Sequence, residues 1–220
     1  MGEVKLAIAI PLIDKTVPAA FLDSFVVMQK PSFIYLRPQY NGFNIADIRN
    51  QLVERALENG CTHILMMDSD QVYPYDTIMK LLSHDKPVVS AIVHRRYPGF
   101  DPILYRGVPG RYIHVSDEEI LDCKDKKQLV EIDATGCGCV LYNTEVFLKV
   151  DAPWFQFTRD EKNNVVGEDI GFCYKLRKTG YNIFCDPTID IGHMSTLEIN
   201  WGTYALYKHV NKLQKKSMEE

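Results

Sequence analysis

The sequence predicts an α/β protein built on a Rossmann-like open sheet, mostly parallel and flanked by helices. Three observations carry that expectation. The apolar runs Val4 to Ile10, Ile64 to Met67 and Pro87 to Val93 are near-continuous rather than alternating, as in strands covered on both faces. Helical patterns alternate with these runs, which is the order that right-handed parallel crossovers produce. The third observation is the stretch Thr62 to Asp70, where four apolar residues in a row end in two carboxylates one residue apart. In open α/β sheets the ligand crevice lies at the carboxyl ends of the strands, so Asp68 and Asp70 are delivered to the place where a ligand binds.

Taken in order, Val4 to Ile10 form the first strand and Pro11 ends it. Thr16 with Pro18 marks a helix start, and Phe21, Phe25 and Met28 share one face. Ser32 to Leu36 form a second strand. From Asn44 a helix places Ile45, Ile48, Leu52, Val53 and Ala56 on one stripe, and Asn59-Gly60 supplies a left-handed C-cap. The central strand follows at once. Pro74 fits the first turn of a helix whose buried residues are Ile78, Leu81 and Leu82. After the strand Pro87 to Val93, residues 98 to 127 lose the periodic pattern, with a short hairpin expected around Val108-Pro109-Gly110 and a charged run from Asp117 to Lys127. Strand patterns return at Gln128 to Ile132 and Cys139 to Tyr142. Asn143 or Thr144 caps a short helix through Val146 and Phe147, and Trp154, Phe155 and Phe157 form an aromatic cluster. Arg159 to Val166 reads as a mobile polar loop. Gly167-Glu168-Asp169 opens a helix closed by Thr179-Gly180. Two short extended pieces follow, Asn182 to Cys185 and Ile189 to His193. Tyr204 to Lys216 make an amphipathic helix that packs through Tyr207, Val210 and Leu213 with its lysines outward.

Composition bounds the function. With 220 residues, 46% of them apolar, and a net charge of −4, the chain is globular and can bury a substantial core. No Lys/Arg stripe interleaves with aromatics, so no nucleic acid is expected as a partner. The apolar core near the start is about six residues long, too short for a signal peptide or a membrane span, so a cytoplasmic protein without a transmembrane segment is expected. Gly2 fails as a myristoylation signal because position 6 is Leu. The six cysteines lack C-x-x-C spacing and read as buried thiols rather than a zinc site, with Cys137 and Cys139 facing the same way.

The chemistry-bearing residues fall at strand and helix ends. Asp68 and Asp70 in extended chain point the same way, and two like charges side by side need a divalent cation, basic neighbours or full solvation. A solvated turn in which Asp68 or Ser69 caps the following helix is the alternative. No Gly-rich loop follows the first strand, so bound phosphates would have to be neutralised by other means. Arg95 and Arg96 end a core strand at the ligand edge, and Arg holds phosphate or carboxylate bidentately. Arg49 and Asn50 are more polar than their apolar helix stripe requires. Gly136 and Gly138 allow a ligand or backbone to approach closely, or mark a strand bend. Trp154 and its neighbours are either core or a sugar-stacking platform. Glu168 and Asp169 complement the helix dipole on their own account. His193, arriving beside a carboxylate pair, could complete a cation site.

Taken together, Ala7-Ile-Ala-Ile-Pro11, Ala46-Asp-Ile-Arg-Asn50, Met67-Asp-Ser-Asp70, Thr135-Gly136, Gly167-Glu-Asp169 and Gly192-His193 occur in an order that resembles the GT-A fold glycosyltransferases, in particular the large family-2-like group. The resemblance spans almost the whole chain. It implies a single GT-A domain over 1–220, with a nucleotide-binding half over about 1–97, an acceptor half over about 98–200 and a C-terminal helix over about 203–217. It implies a Mn²⁺ or Mg²⁺ ion on the diphosphate of a sugar nucleotide, held by Asp70 and His193, with Asp68 on the ribose or reaching the metal through water. Pro11, Leu12 and Ile13 would line the base near Arg49 and Asn50, with Ser69 in the same donor site. Asp169 would be the general base of an inverting reaction, and Thr135 and Gly136 would border the acceptor, together with Arg95, Arg96, Trp154 and Glu168. The acceptor would be a saccharide or another hydroxyl compound. No acid-rich turn lies between Pro11 and Asn44, so UDP-sugars, GDP-sugars and other donors stay open. A sugar-nucleotide nucleotidyltransferase would need a Gly-rich loop that Leu12-Ile-Asp-Lys-Thr16 is not, and a non-catalytic binding relative would have lost acids that are all present here.

Overall fold

A computed structural model of the chain describes residues 3–13, 16–38, 44–197 and 199–217, the last seven of these by backbone alone. Its sheet grows from three parallel strands, with β1 (Leu6–Ala9) between β2 (Phe33–Leu36) and β3 (His63–Met67). Side chains alternate between two cores: Ala7, Ala9, Ile64 and Met66 enter one, Leu6, Ile8, Leu65 and Met67 the other. Both faces are dry, which is why these strands read as unbroken apolar runs.

Helices cover the two faces separately. On the second face lie α1 (Ala19–Val27), through Phe21, and α3 (Thr77–Ser83), through Ile78 and Leu81. On the first lies α2 (Ile45–Glu58), which buries Ile48, Leu52, Val53 and Ala56. The Asn44 side chain caps it by accepting the Asp47 N–H at 3.0 Å, and Gly60 follows with a left-handed φ of +64°. Pro74 lies outside α3. Instead of opening the helix it makes a preceding turn, its carbonyl accepting the Thr77 N–H at 3.2 Å and the Thr77 hydroxyl at 2.9 Å.

The sheet continues in the order β2-β1-β3-β10-β5-β13-β4, where β5 is Val88–Val93, β10 Cys139–Asn143, β13 Ile183–His193 and β4 Gln71–Val72. β10 is inserted antiparallel between β3 and β5, while β13 runs parallel to β5 and carries β4 and β8 (Val130–Ile132) antiparallel. β1, β2, β3, β5 and β13 therefore share one direction, and the sheet is mostly parallel. The extended pieces at 182–185 and 189–193 are one strand, because the register shift between Asp186 and Asp190 carries the ladder past Pro187, which has no N–H to donate.

The aperiodic excursion holds a small sheet of β6 (Leu104–Arg106), β7 (Ile113–His114) and β9 (Ala134–Thr135), with β6 and β7 paired as the expected hairpin. The charged run is a helix, α4 (Asp117–Asp125). Ser116 caps it at 3.2 Å to the Glu119 N–H and three acids fill its first turn, while Ile120 is its one buried residue, too little for a visible apolar period. α5 (Glu145–Lys149) follows Asn143, whose side-chain oxygen accepts the Glu145 N–H at 2.9 Å. The polar loop at 159–166 is a hairpin of β11 (Thr158–Arg159) and β12 (Val165–Val166), closed by the Asp160 carboxylate accepting the N–H groups of Lys162 and Asn164 at 2.8 and 2.9 Å.

Two further expectations are corrected. Cys137 and Cys139 enter opposite cores because the chain turns at Gly138 before β10 begins; all six cysteines are free, five buried and Cys123 partly so. The helix α7 (Trp201–Ser217) does not pack inward: Tyr207 is 66% and Val210 41% exposed, since earlier helices already cover both faces of the sheet. The Leu213 side chain and Gly2 lie outside the described residues. Among the described residues no helix is long and apolar enough to cross a membrane. α6 (Glu168–Lys178) completes the first face through Phe172, Cys173 and Leu176, and its N-terminus points to the site described next.

Candidate functional site

The alternation of β3 dictates where its first acid goes. Asp68 continues the even-numbered side chains toward the face where α2 and α6 pack, and there it meets Arg49. The Arg49 Nη2 lies 3.1 Å from Asp68 Oδ1, while its Nη1 donates to Glu168 Oε1 on α6. Arg49 is 4% and Glu168 6% exposed, so this is a buried cluster. The chain then turns at Ser69-Asp70 and sends the second acid elsewhere. Asp70 Oδ2 accepts from Arg96 Nη1 at 2.8 Å and lies 3.3 Å from His193 Nε2. The side-by-side placement that extended chain would produce is therefore absent, and each acid has its own cation.

Gln71 and Tyr73, which carry no motif in the sequence, build the turn together with Gly138. Buried Tyr73 directs its hydroxyl to the carbonyls of Asp68 and Gly138, at 2.7 and 2.9 Å, and the Asp68 N–H donates to the same Gly138 carbonyl at 2.9 Å. A Cβ on Gly138 would stand 2.1 Å from the Nε2 of buried Gln71, so any side chain there would have to displace the Gln71 amide. The one signal of Gln71 and Tyr73 in the sequence is position, directly after the acids, whereas Gly138 is the expected point of close approach.

Strand pairing delivers His193. β4 pairs β13 with His193 opposite Gln71, and the Met194 N–H donates to the Asp70 carbonyl at 2.9 Å. His193 Nδ1 is 2.6 Å from the His94 carbonyl, an acceptor only, so Nδ1 carries a proton. Nε2 then faces a carboxylate oxygen, also an acceptor, and the contact is favourable only with a cation, proton or metal, between them. Burial lowers the His193 pKa, but the hydrogen bond to Asp70 and the His94 carbonyl outweigh it and the net shift is upward. Burial likewise raises Asp70, and His193 and Arg96 together bring it below the usual carboxylate range.

Asp68, Ser69, Asp70, Arg49 and Arg96 all line one cavity of about 710 Å³, whose apolar walls include Pro11, Ile13 and Ile45. Leu12 instead packs against the second core. A cavity of about 520 Å³ at the amino ends of β1 and β2 has Lys5 and Glu3 but no acid pair, and it lies at the wrong end of the strands for the crevice rule. Asn50 leaves the cavity altogether: its amide exchanges two hydrogen bonds with the backbone of Phe155, at 2.8 and 3.0 Å.

Asp169 stands in the first turn of α6. Its Oδ1 accepts the Ile170 N–H at 2.7 Å, and its Oδ2 lies 3.6 Å from where a Cβ on Gly136 would be. A Cβ on Gly167 would press on Oδ1 at 2.8 Å, so glycines on either side leave the carboxylate its room. Burial raises the Asp169 pKa and Arg49 offsets only part of the rise. Glu168 is raised by burial and then by the Asp169 charge, against the opposing pull of Arg49. Thr135 is 2% exposed, with its hydroxyl unpartnered among the described residues. Arg95 reaches Tyr105, its Nη2 donating to the hydroxyl at 2.6 Å. Trp154 is a core residue rather than a platform: it is buried edge-on against Phe147 and its indole N–H is bonded to the carbonyls of Phe147 and Val150 at 2.9 Å. Phe157 is the member of that aromatic trio left at the surface.

The overall path of the chain has known counterparts. A197 from STIV superposes with a TM-score of 0.59 at 15% identity, over 87% of this chain and 86% of that one. GalNAc-T7, determined with UDP, GalNAc and Mn²⁺, superposes with a TM-score of 0.57 at 13% identity, over 90% of this chain. The chain has the GT-A-like fold. It spans 45% of the GalNAc-T7 chain. At the level of sequence no family model and no curated protein matches.

Proposed function

We propose that this chain is a metal-dependent glycosyltransferase that moves a sugar from a nucleoside-diphosphate sugar to an acceptor hydroxyl with inversion. The observation that carries the reading is the meeting of Asp70 Oδ2 with His193 Nε2 at 3.3 Å, where Asp70 lines the 710 Å³ cavity at the carboxyl end of the central strand. An acceptor nitrogen and an acceptor oxygen that face each other fit a shared Mn²⁺ or Mg²⁺. Among the described residues no group of three or more His, Cys, Asp and Glu side chains is set to hold a metal. Two protein ligands suit an ion completed by water and phosphate oxygens, and the nitrogen donor favours Mn²⁺. Such an ion would supply positive charge against the charge that develops on a departing diphosphate.

The chain's own residues do the rest. Pro11 and Ile13 offer an apolar wall for the base, and Asp68, held by Arg49, lines the cavity, where its carboxylate would accept from a ribose hydroxyl. Asp169 takes the proton of the acceptor hydroxyl as that oxygen bonds to the anomeric carbon, and the electron pair of the breaking bond leaves with the diphosphate. A base with a raised pKa is better matched to that transfer than an ordinary aspartate. Thr135 and Gly136 border the acceptor side, in keeping with residues about 1–97 serving the donor and about 98–200 the acceptor. The UDP held by GalNAc-T7 makes UDP-sugars the first donors to test, with GDP-sugars next.

The test is release of free nucleoside diphosphate from a donor panel, with and without Mn²⁺. Metal-dependent release with at least one donor supports the reading. Metal-dependent binding of donor without turnover in the presence of an acceptor panel would favour a non-catalytic relative.

A further inference from the structure

Resting on that reading, we propose that Arg96 is a diphosphate-binding residue kept in reserve: it neutralises Asp70 until donor and metal bind and is released to the donor's phosphates when a divalent cation takes Asp70. Arg96 thereby makes metal and nucleotide binding mutually dependent.

The geometry of one oxygen carries the argument. Asp70 Oδ2 is shared by Arg96 Nη1 at 2.8 Å and His193 Nε2 at 3.3 Å. A metal bound between Asp70 and His193 must use this oxygen, and a guanidinium beside the same oxygen would face the metal's charge at close range. One of the two cations has to leave. His193 is fixed by the His94 carbonyl through Nδ1 and by the β4–β13 ladder, whereas the Arg96 side chain is 45% exposed. Its backbone stays anchored, since the Ser195 hydroxyl donates to the Arg96 carbonyl at 3.0 Å. The side chain also has room to move, because Arg96 lines both the acid-bearing cavity and a neighbouring one of about 310 Å³ beside Tyr97 and Met194. A displaced guanidinium on that wall still faces the cavity, and its planar fork matches a phosphate that presents two oxygens.

The consequence is a linkage. Without nucleotide, Arg96 competes with the ion, so the metal binds weakly. With nucleotide, the phosphates draw Arg96 away and the metal binds tightly; by reciprocity the metal tightens the nucleotide by the same factor.

Calorimetric titration of the intact chain reads this directly, with MnCl₂ titrated in the absence and presence of saturating UDP, and UDP in the absence and presence of Mn²⁺. For Arg96→Ala, Mn²⁺ alone should bind roughly 3- to 10-fold more tightly and UDP with Mn²⁺ roughly tenfold more weakly, within the 5- to 150-fold span of typical couplings. The coupling factor should shrink accordingly. Arg95→Ala, whose guanidinium holds Tyr105 instead, should keep the wild-type coupling. Unchanged coupling in Arg96→Ala, or tighter UDP binding, overturns the role of Arg96 while leaving the glycosyltransferase reading intact. A wild-type chain that binds UDP with no response to Mn²⁺ overturns both.

Discussion

The two acids of one turn have been given the same kind of partner in opposite settings. Asp68 and Asp70 each pair with an arginine, but Arg49 has a side chain 5% exposed and Arg96 one 45% exposed. A buried ion pair is costly to form and costlier to break, because the survivor is left as a charge without water. An exposed pair is screened and can exchange partners at little cost. Burial thus separates a fixed strut, Arg49 between Asp68 and Glu168, from an exchangeable contact at Asp70.

The sharpest contrast lies within the strut, between neighbours on one helix turn. Asp169→Asn should lose roughly 10²- to 10⁴-fold in kcat, with Kd for nucleotide near wild type, while Glu168→Gln should keep far more of its turnover. The two should also differ in stability. Burial raises the folded pKa of Asp169 above its ordinary 3.8, so the native state keeps its proton to a higher pH than the unfolded chain does. The resulting penalty is absent below the unfolded pKa and complete above the folded one. Asp169→Asn, which never ionises, should therefore melt at a higher temperature than wild type at pH 7 and equally at pH 3. The wild-type rate should fall on acidification through a pKa above that of an ordinary aspartate, because the base must be ionised. Glu168 is shifted upward too, but Glu168→Gln also weakens the charged hydrogen bond to Arg49, a loss that offsets the relief, so its melting temperature at pH 7 should rise less than that of Asp169→Asn or fall. Matching melting curves and rates for the two variants would reduce the pair to a helix cap.

Arg49→Met tests the strut itself. It leaves Glu168 buried without its cation, and urea unfolding should show a loss of about 3–5 kcal/mol. A loss under about 1 kcal/mol, the range of an exposed pair, would erase the distinction drawn between the two arginines. Arg96→Ala is the matched case and should lose no more than about 1 kcal/mol, shrinking further in high salt. The smallest effect is expected from ending the chain after Asn200. The described side chains of α7 from Trp201 to Val210 are exposed apart from Thr203, so Tm should move by no more than about 2–4 °C, the shift for about 1 kcal/mol in a domain of this size. A drop well beyond that would show that α7 packs on the body of the protein after all.

What the sequence determined by itself are the parts whose physics is local. Four apolar residues ending in Asp68 specify a strand covered on both faces, Asn44 and Gly60 bound the helix that carries Arg49, and Gly167 frees the first turn that holds Asp169. Each follows from periodicity, capping or backbone freedom over a few residues. Tertiary structure alone decided how the parts combine. A strand that is apolar on both faces reads alike in either direction, so nothing local announced that β10 would enter antiparallel between β3 and β5. The amphipathic pattern of α7 states which face is apolar but not whether a surface remains for it to cover. The split of the two acids depends on partners 119 residues apart, Arg49 with Glu168, and 123 apart, Asp70 with His193. Such pairings exist only after the sheet has closed, since it is the β4–β13 register and the meeting of α2 with α6 that bring those side chains together.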